Sequence, residues 1–110
     1  MRIPPNNPVR FCEPEVFETL YRFNARLSLQ VESTMYLCVL RAPDSPTAEA
    51  LVQHLQTNLY HGEVICEKEP CVYYMQAFAD REEEIIIRLD DARECVPGVV
   101  TQYMPIPKED

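Results

Sequence analysis

Apolar residues recur at helical spacing near the start of the chain and again in its middle. Pro14 suits the first position of a helix, and the apolar stripe behind it predicts a helix over 14–24. That stripe consists of Val16, Leu20 and Phe23. Ser45 is a suitable N-cap, and a longer stripe after it predicts a second helix over 46–59. The second stripe consists of Ala48, Leu51, Val52, Leu55 and Leu59.

The segments between and after these helices have the patterns of strands. Apolar and polar residues alternate over 27–31, which predicts a half-buried strand; a first helix that runs on to Gln30 is the alternative. Residues 35–41 are apolar on both faces, as in a central strand. Two further strands are predicted over 63–66 and 71–78, joined by a four-residue hairpin loop.

Residues 81–94 fit two structures. The β-branched run Ile85–Ile87 favours a strand, whereas Asp80 and Glu83 have the spacing of a capping box and acidic residues suit the beginning of a helix. We prefer the helix and keep the strand as the alternative. A last strand is predicted over 99–104, after the break at Pro97 and Gly98, and Pro105 ends it.

From residue 35 to residue 104 the predicted order is strand, helix, strand, strand, helix, strand. This is the ferredoxin-like βαββαβ order, so we predict an α+β fold preceded by the N-terminal helix and strand. In that arrangement strands 35–41 and 71–78 are adjacent and central. The two helices protect one face of the sheet only. The other face must be covered by helix 14–24 with the strand after it, or by another subunit.

Composition limits the class of protein. With 110 residues, 46% of them hydrophobic and 25% charged, the chain has the size of a single domain over 1–110, with proline-containing arms at 1–8 and 107–110. No apolar run reaches the roughly 20 residues of a membrane helix, so we expect no membrane partner. Five cysteines without a secretion segment indicate an intracellular protein. A net charge of −8 argues against direct binding of nucleic acid.

The chain offers little for catalysis or for a cofactor. His61, Cys66 and Cys71 have the spacing H-x4-C-x4-C, but zinc needs a fourth ligand and no second pair is visible, so we interpret the two thiols as packing residues. A reactive cysteine needs an environment that stabilises a thiolate, which the acidic second half opposes. Two glycines cannot build a phosphate-binding loop. We expect no metal, cofactor or catalytic site.

Charge and aromatic residues point instead to a protein partner. Residues 61–110 have a net charge of −7 against −1 for residues 1–60. The leading hypothesis is a non-enzymatic interaction or regulatory module that uses an apolar sheet face, as a homo-oligomer or in a complex. The alternative is an acidic inhibitor or decoy that blocks a basic site; an enzyme with a pocket at a subunit interface comes third. The residues predicted to bind the partner are Tyr73, Tyr74, Phe78, Glu83, Asp90 and Asp91.

Overall fold

The computed structural model describes residues 11–58 and 62–108, which form an α+β fold with one mixed sheet of five strands and three helices. The strands are β1 (Phe11–Cys12), β2 (Thr34–Arg41), β3 (Val64–Glu69), β4 (Val72–Ala79) and β5 (Val100–Pro105). The helices are α1 (Pro14–Leu27), α2 (Ser45–Thr57) and α3 (Glu82–Cys95).

The strand order in the sheet is β1-β3-β4-β2-β5. β2 is antiparallel to both β4 and β5, and β3 is antiparallel to β4. The prediction that β2 and β4 are adjacent and central is therefore confirmed. The ferredoxin-like order is not established for the whole sheet, because β1 pairs in parallel with β3 and makes the order differ from the predicted one. Phe11 of this added strand packs edge-on against Tyr73, with their ring centroids 6.2 Å apart.

The main core lies between the sheet and helices α2 and α3. Alternate residues of β2 and β4 point to this side, and they are buried against one stripe from each helix. The residues of this core include Tyr36, Cys38, Leu40, Tyr73, Met75, Leu51, Leu55, Ile85 and Leu89. α2 begins at Ser45, one residue earlier than predicted, because Asp44 and not Ser45 is the N-cap: its carboxylate accepts a hydrogen bond from the Thr47 backbone N–H at 3.0 Å.

Helix α1 lies on the opposite face of the sheet, over β3 and β4. Phe17 is buried there and its ring meets that of Tyr74 at 6.3 Å. The buried Gln76 amide donates to the Phe17 carbonyl at 3.2 Å and accepts from Asn24 Nδ2 at 2.7 Å. These bonds satisfy a polar side chain that packing has removed from water.

The predicted strand over 27–31 is wrong: α1 continues to Leu27, and a 3-10 turn follows over Ser28–Gln30. The strand was predicted because the apolar residues Leu27, Leu29 and Val31 alternate with polar ones. In the structure these three apolar residues are exposed, so the alternation does not mark a buried face. The stripe that faces the sheet includes the polar Asn24 and Ser28. Ser28 is buried and Asn24 is half-buried, and both side chains are hydrogen-bonded: Ser28 Oγ donates to the Ala25 carbonyl at 2.7 Å and Asn24 Nδ2 donates to Gln76.

Residues 82–95 are helical, as preferred over the strand alternative. The predicted capping box does not form, because Asp80 accepts a hydrogen bond from Ser33 Oγ at 2.6 Å and no side chain caps α3. A buried ion pair joins the middle of α3 to the residue before β3: Arg88 Nε lies 3.1 Å from Glu63 Oε2.

The β3–β4 hairpin is tighter than predicted. β3 extends to Glu69, so the turn contains only Pro70 and Cys71, and Cys71 adopts a left-handed conformation with a φ of 68°. As a result Cys66 lies opposite Tyr74 in the register, and not opposite Cys71, where the predicted four-residue loop between strands 63–66 and 71–78 would place it.

Some predictions fall outside the described residues. These are the arm at 1–8, Leu59 at the end of the second helix, His61, and the last two residues of the arm at 107–110. Within that arm Pro107 and Lys108 are exposed, and Lys108 Nζ donates to the Val31 carbonyl. Among the described residues, no helix has both the length and the apolar character needed to cross a membrane.

Candidate interaction surface

The three aromatic residues of β4 that we predicted to bind a partner do not share one surface. Tyr73 points toward α2 and α3 and is buried in the core, where its hydroxyl donates to Glu67 Oε2 at 3.4 Å. Burial and the Glu67 carboxylate raise the pKa of Tyr73 to about 12. Tyr74 and Phe78 are half-buried and, by the alternation of the strand, point to the other face. Only these two lie on the side that α1 partly covers.

Helix α1 leaves the β2–β5 half of this face open. Leu37 and Val39 of β2 are half-buried there, and Met104 lies opposite Leu37 in the register. Val100 and Met104 of β5 remain 59% and 54% exposed. We call these four residues the open half of the sheet. An exposed apolar group of this kind on a sheet face is typical of a surface that another chain covers.

Strand β5 is also an edge of the sheet. Among the described residues no strand pairs with its outer side, and the sequence Val100–Pro105 contains no charged residue. Natural edge strands are usually protected from pairing by charges, prolines or bulges. Here Pro105, at the very end of the strand, is the one such feature. The outer backbone groups of β5 are thus open to pairing with a further strand.

Helix α1 adds a second apolar strip. Its outward side carries Val16, Leu20, Phe23 and Leu27 at the spacing of one helix face, and Phe23 is 61% exposed. On the side toward β2, a cleft of about 270 Å³ opens between the helix and the sheet, with Tyr21, Leu37, Lys68 and Tyr74 among its lining residues. Lys68 Nζ lies 5.8 Å from the centre of the Tyr74 ring. The cleft has a mainly apolar lining with one acidic and one basic side chain, Glu18 and Lys68.

The acidic residues predicted to bind a partner lie on α3, on the opposite face of the sheet. Glu83 is exposed, 3.5 Å from Arg81 Nε. Asp90 forms an ion pair with Arg93 one turn further along the helix. Asp91 Oδ2 lies 3.4 Å from His54 Nε2 on α2. All three predicted acids therefore have basic neighbours inside the domain.

The two thiols weighed as zinc ligands, Cys66 and Cys71, do not face each other in the β3–β4 hairpin. Cys66 is buried on the α1 face and Cys71 lies in the hairpin turn, while His61 is outside the described residues. Burial raises the pKa of Cys66 to about 11 and that of Cys38 to about 12. Both thiols are protonated at neutral pH, and a protonated thiol is a poor nucleophile.

One group of side chains was missed by the sequence analysis. His54, Asp91 and Cys95 come together between α2 and α3, with one potential metal-ligating atom from each within 4.8 Å of the others. The i, i+4 spacing of Asp91 and Cys95 on a helix is visible in the sequence, but the histidine comes from another helix.

Comparison with known proteins adds no assignment: no family model, curated protein or solved structure matches this chain, so its function has to be argued from these surfaces.

Proposed function

We propose that this chain is a non-enzymatic protein-interaction module whose partner is a second copy of itself, bound through strand β5 and the open half of the sheet. The observation that carries the proposal is the exposure of Val100 and Met104 on an uncharged edge strand. Pairing of β5 with its copy extends the sheet and satisfies its outer backbone groups. The apolar side chains of the open half are removed from water in the same step.

The distribution of charge supports self-association despite the net charge of −8. The acids at the beginning of α3 lie on the face opposite the open half, where Glu82 accepts a hydrogen bond from the Tyr103 hydroxyl of β5 at 2.6 Å. The charged residue opposite β5 in the register is Arg41, which pairs with Val100. A stable interface buries at least about 1,000 Å² in total. We expect the open half to contribute to this area together with the edge strand.

Sedimentation at increasing protein concentration tests the proposal. The mass should double as concentration rises, and the double variant Val100→Lys/Met104→Lys should stay monomeric with an unchanged circular dichroism spectrum, because both residues are exposed in the monomer. Ile87→Lys is the matched control: Ile87 is 63% exposed on α3, away from the open half. A wild-type chain that remains monomeric at millimolar concentration, or a double variant that still dimerises, contradicts the proposal.

The acidic alternative has less support. An inhibitor or decoy that uses Glu83, Asp90 and Asp91 needs these charges free to face a basic partner, and all three have basic neighbours within the domain. The two functions differ in their response to salt. Association through β5 should be nearly insensitive to ionic strength, whereas a decoy should lose affinity steeply as salt is added.

Three further expectations belong to this proposal. Residues 35–104 have the ferredoxin-like arrangement with β1 as an added strand, which the central β2 and β4 and the two helices on one face support. The protein is intracellular, which the five free thiols support. Nucleic acid is not a direct partner, as the net negative charge indicates.

A further inference from the structure

Between α2 and α3 three different side chains with metal-ligating atoms converge, away from the open half of the sheet. His54 Nε2 lies 3.4 Å from Asp91 Oδ2, and Cys95 Sγ lies 3.8 Å from Asp91 Oδ1. Asp91 and Cys95 are one turn apart on the same face of α3. All three ligands therefore project from helices, which hold their positions more firmly than loops do.

We propose that His54, Asp91 and Cys95 bind one zinc ion. Nitrogen, oxygen and sulfur ligands of these three types are those found in zinc sites, and three protein ligands leave one tetrahedral position for water. Cys95 is exposed and the Asp91 side chain is 44% exposed, so this position is open to solvent.

The distances fit such an ion after a small adjustment. Zinc bonds of about 2.0 to 2.3 Å in a tetrahedron place neighbouring ligand atoms about 3.3 to 3.7 Å apart. The contact between His54 and Asp91 already has this length, and the three ligand atoms lie within 4.8 Å of one another. Cys95 is the last residue of α3 and its side chain is exposed, so rotation of its thiol closes the remaining gap. On binding, the thiol releases its proton to solvent.

The state of His54 is the second observation that points to a ligand. Its side chain is nine-tenths buried, and within the part of the chain that the structure describes no hydrogen-bond partner reaches its Nε2, which faces Asp91. A buried polar atom without a hydrogen bond is uncommon in proteins. The other ring nitrogen, Nδ1, lies 3.2 Å from the side-chain amide of Asn58. The same amide nitrogen donates to the His54 carbonyl at 2.9 Å. When zinc binds Nε2, the ring proton is on Nδ1 and the exposed Asn58 side chain turns away from it, so that Nε2 presents its lone pair to the metal.

An ion pair between His54 and Asp91 is the simpler interpretation, and Cys95 distinguishes the two. A His–Asp pair has no need of a thiol, whereas a zinc site depends on it. We predicted no metal from ligands close in sequence, but His54 reaches Asp91 and Cys95 through the packing of α2 against α3.

The test uses the full chain, stripped of metal by a chelator and kept reduced. Zinc binding is measured by calorimetry, and cobalt(II) is the optical probe because a tetrahedral cobalt–thiolate bond absorbs in the near ultraviolet. Cys95→Ser and Asp91→Asn remove ligands at solvent-exposed positions. Cys71→Ser and Asp90→Asn are the matched controls: Cys71 belongs to the earlier set of zinc candidates, and Asp90 is the neighbouring acid on α3.

We expect one zinc ion per chain, a loss of affinity of at least about 100-fold in Cys95→Ser and Asp91→Asn, and wild-type affinity in both controls. The cobalt–thiolate absorption should disappear in Cys95→Ser alone among the cysteine variants. The proposal is overturned if micromolar zinc does not bind, if binding survives the loss of Cys95 and Asp91, or if Cys71→Ser abolishes it.

Discussion

Replacement of Arg88 by methionine should be among the most destabilising single substitutions in this chain. Arg88 is on the core side of α3, and its side chain is 2% exposed; that of Glu63 is 4% exposed. The guanidinium donates from Nε to Glu63 Oε2 at 3.1 Å and from Nη2 to Glu63 Oε1 at 3.2 Å. Methionine keeps the length and the apolar stem of the side chain but removes the charge. The buried Glu63 carboxylate then loses the hydrogen bonds and the opposite charge that the guanidinium supplies.

The expected cost follows from this burial. Removing one member of a buried ion pair costs about 3–5 kcal/mol, because the remaining charge has lost its solvation and its partner. This is a large part of the roughly 5–15 kcal/mol that stabilises a typical domain. At roughly 4 °C per kcal/mol for a domain of this size, the Tm should fall by about 12–20 °C. Adding Glu63→Gln removes the buried negative charge, so the double variant Arg88→Met/Glu63→Gln should recover at least about 1 kcal/mol relative to Arg88→Met alone.

Urea denaturation followed by circular dichroism measures these differences. Arg93→Met is the matched control, since Arg93 is on the same helix but its side chain is 43% exposed in its ion pair with Asp90. An exposed pair contributes at most about 1 kcal/mol. The reasoning is refuted if Arg88→Met costs no more than Arg93→Met, or if the double variant is no more stable than Arg88→Met.

Three smaller perturbations test other parts of the fold. Asn24→Ala should cost about 1–3 kcal/mol in urea denaturation, because it leaves the buried oxygen of Gln76 without its donor. Asp44→Ala should lower the Tm by a few degrees at neutral pH; hydrogen bonds from the first turn of α2 lower the pKa of Asp44, so its contribution is present above its ordinary pKa and the difference from wild type should vanish in acid. Burial raises the pKa of Cys38 to about 12 and that of Cys66 to about 11, from the ordinary value of 9.0. Above pH 9 these thiols ionise in the unfolded chain but stay protonated in the folded one, which stabilises the unfolded state. Stability should therefore decline in that range, and alkylation of the native protein at pH 8 should spare both.

The parts of the fold that could be predicted are those in which one strong pattern decides the structure. β2 and β4 are apolar on both faces, and a strand of this kind has to lie inside a sheet with both sides covered. The apolar residues of α2 keep helical spacing over several turns, and the alternating pattern of a strand does not produce that spacing. For α3, the acidic first turn and the spacing of Ile85 and Leu89 outweighed the β-branched run, since both residues are buried on one face of the helix.

The errors occurred where polar side chains do the packing. Asn24 and Ser28 look like surface residues in the sequence, yet they lie on the side of α1 that faces the sheet, because Gln76 and the Ala25 carbonyl provide hydrogen bonds. No pattern of apolar residues records such a contact. β1 was missed for a related reason: two residues are too few for an alternation, and their place is determined by the packing of Phe11 against Tyr73.

The two surfaces proposed for function differ in how far the sequence alone reveals them. The number of helices already predicts that part of one sheet face is uncovered. Two helices cover one side of the sheet. α1 is about 21 Å long at 1.5 Å per residue and covers two of the strands on the other side. Val100 and Met104 are exposed because they lie on the part of this face that α1 does not cover. The proposed zinc site cannot be predicted from the sequence in this way, because two strands separate His54 from Asp91 along the chain. It arises because α2 and α3 pack side by side on one face of the sheet, so the arrangement that leaves β5 open also brings the histidine to the aspartate and the cysteine.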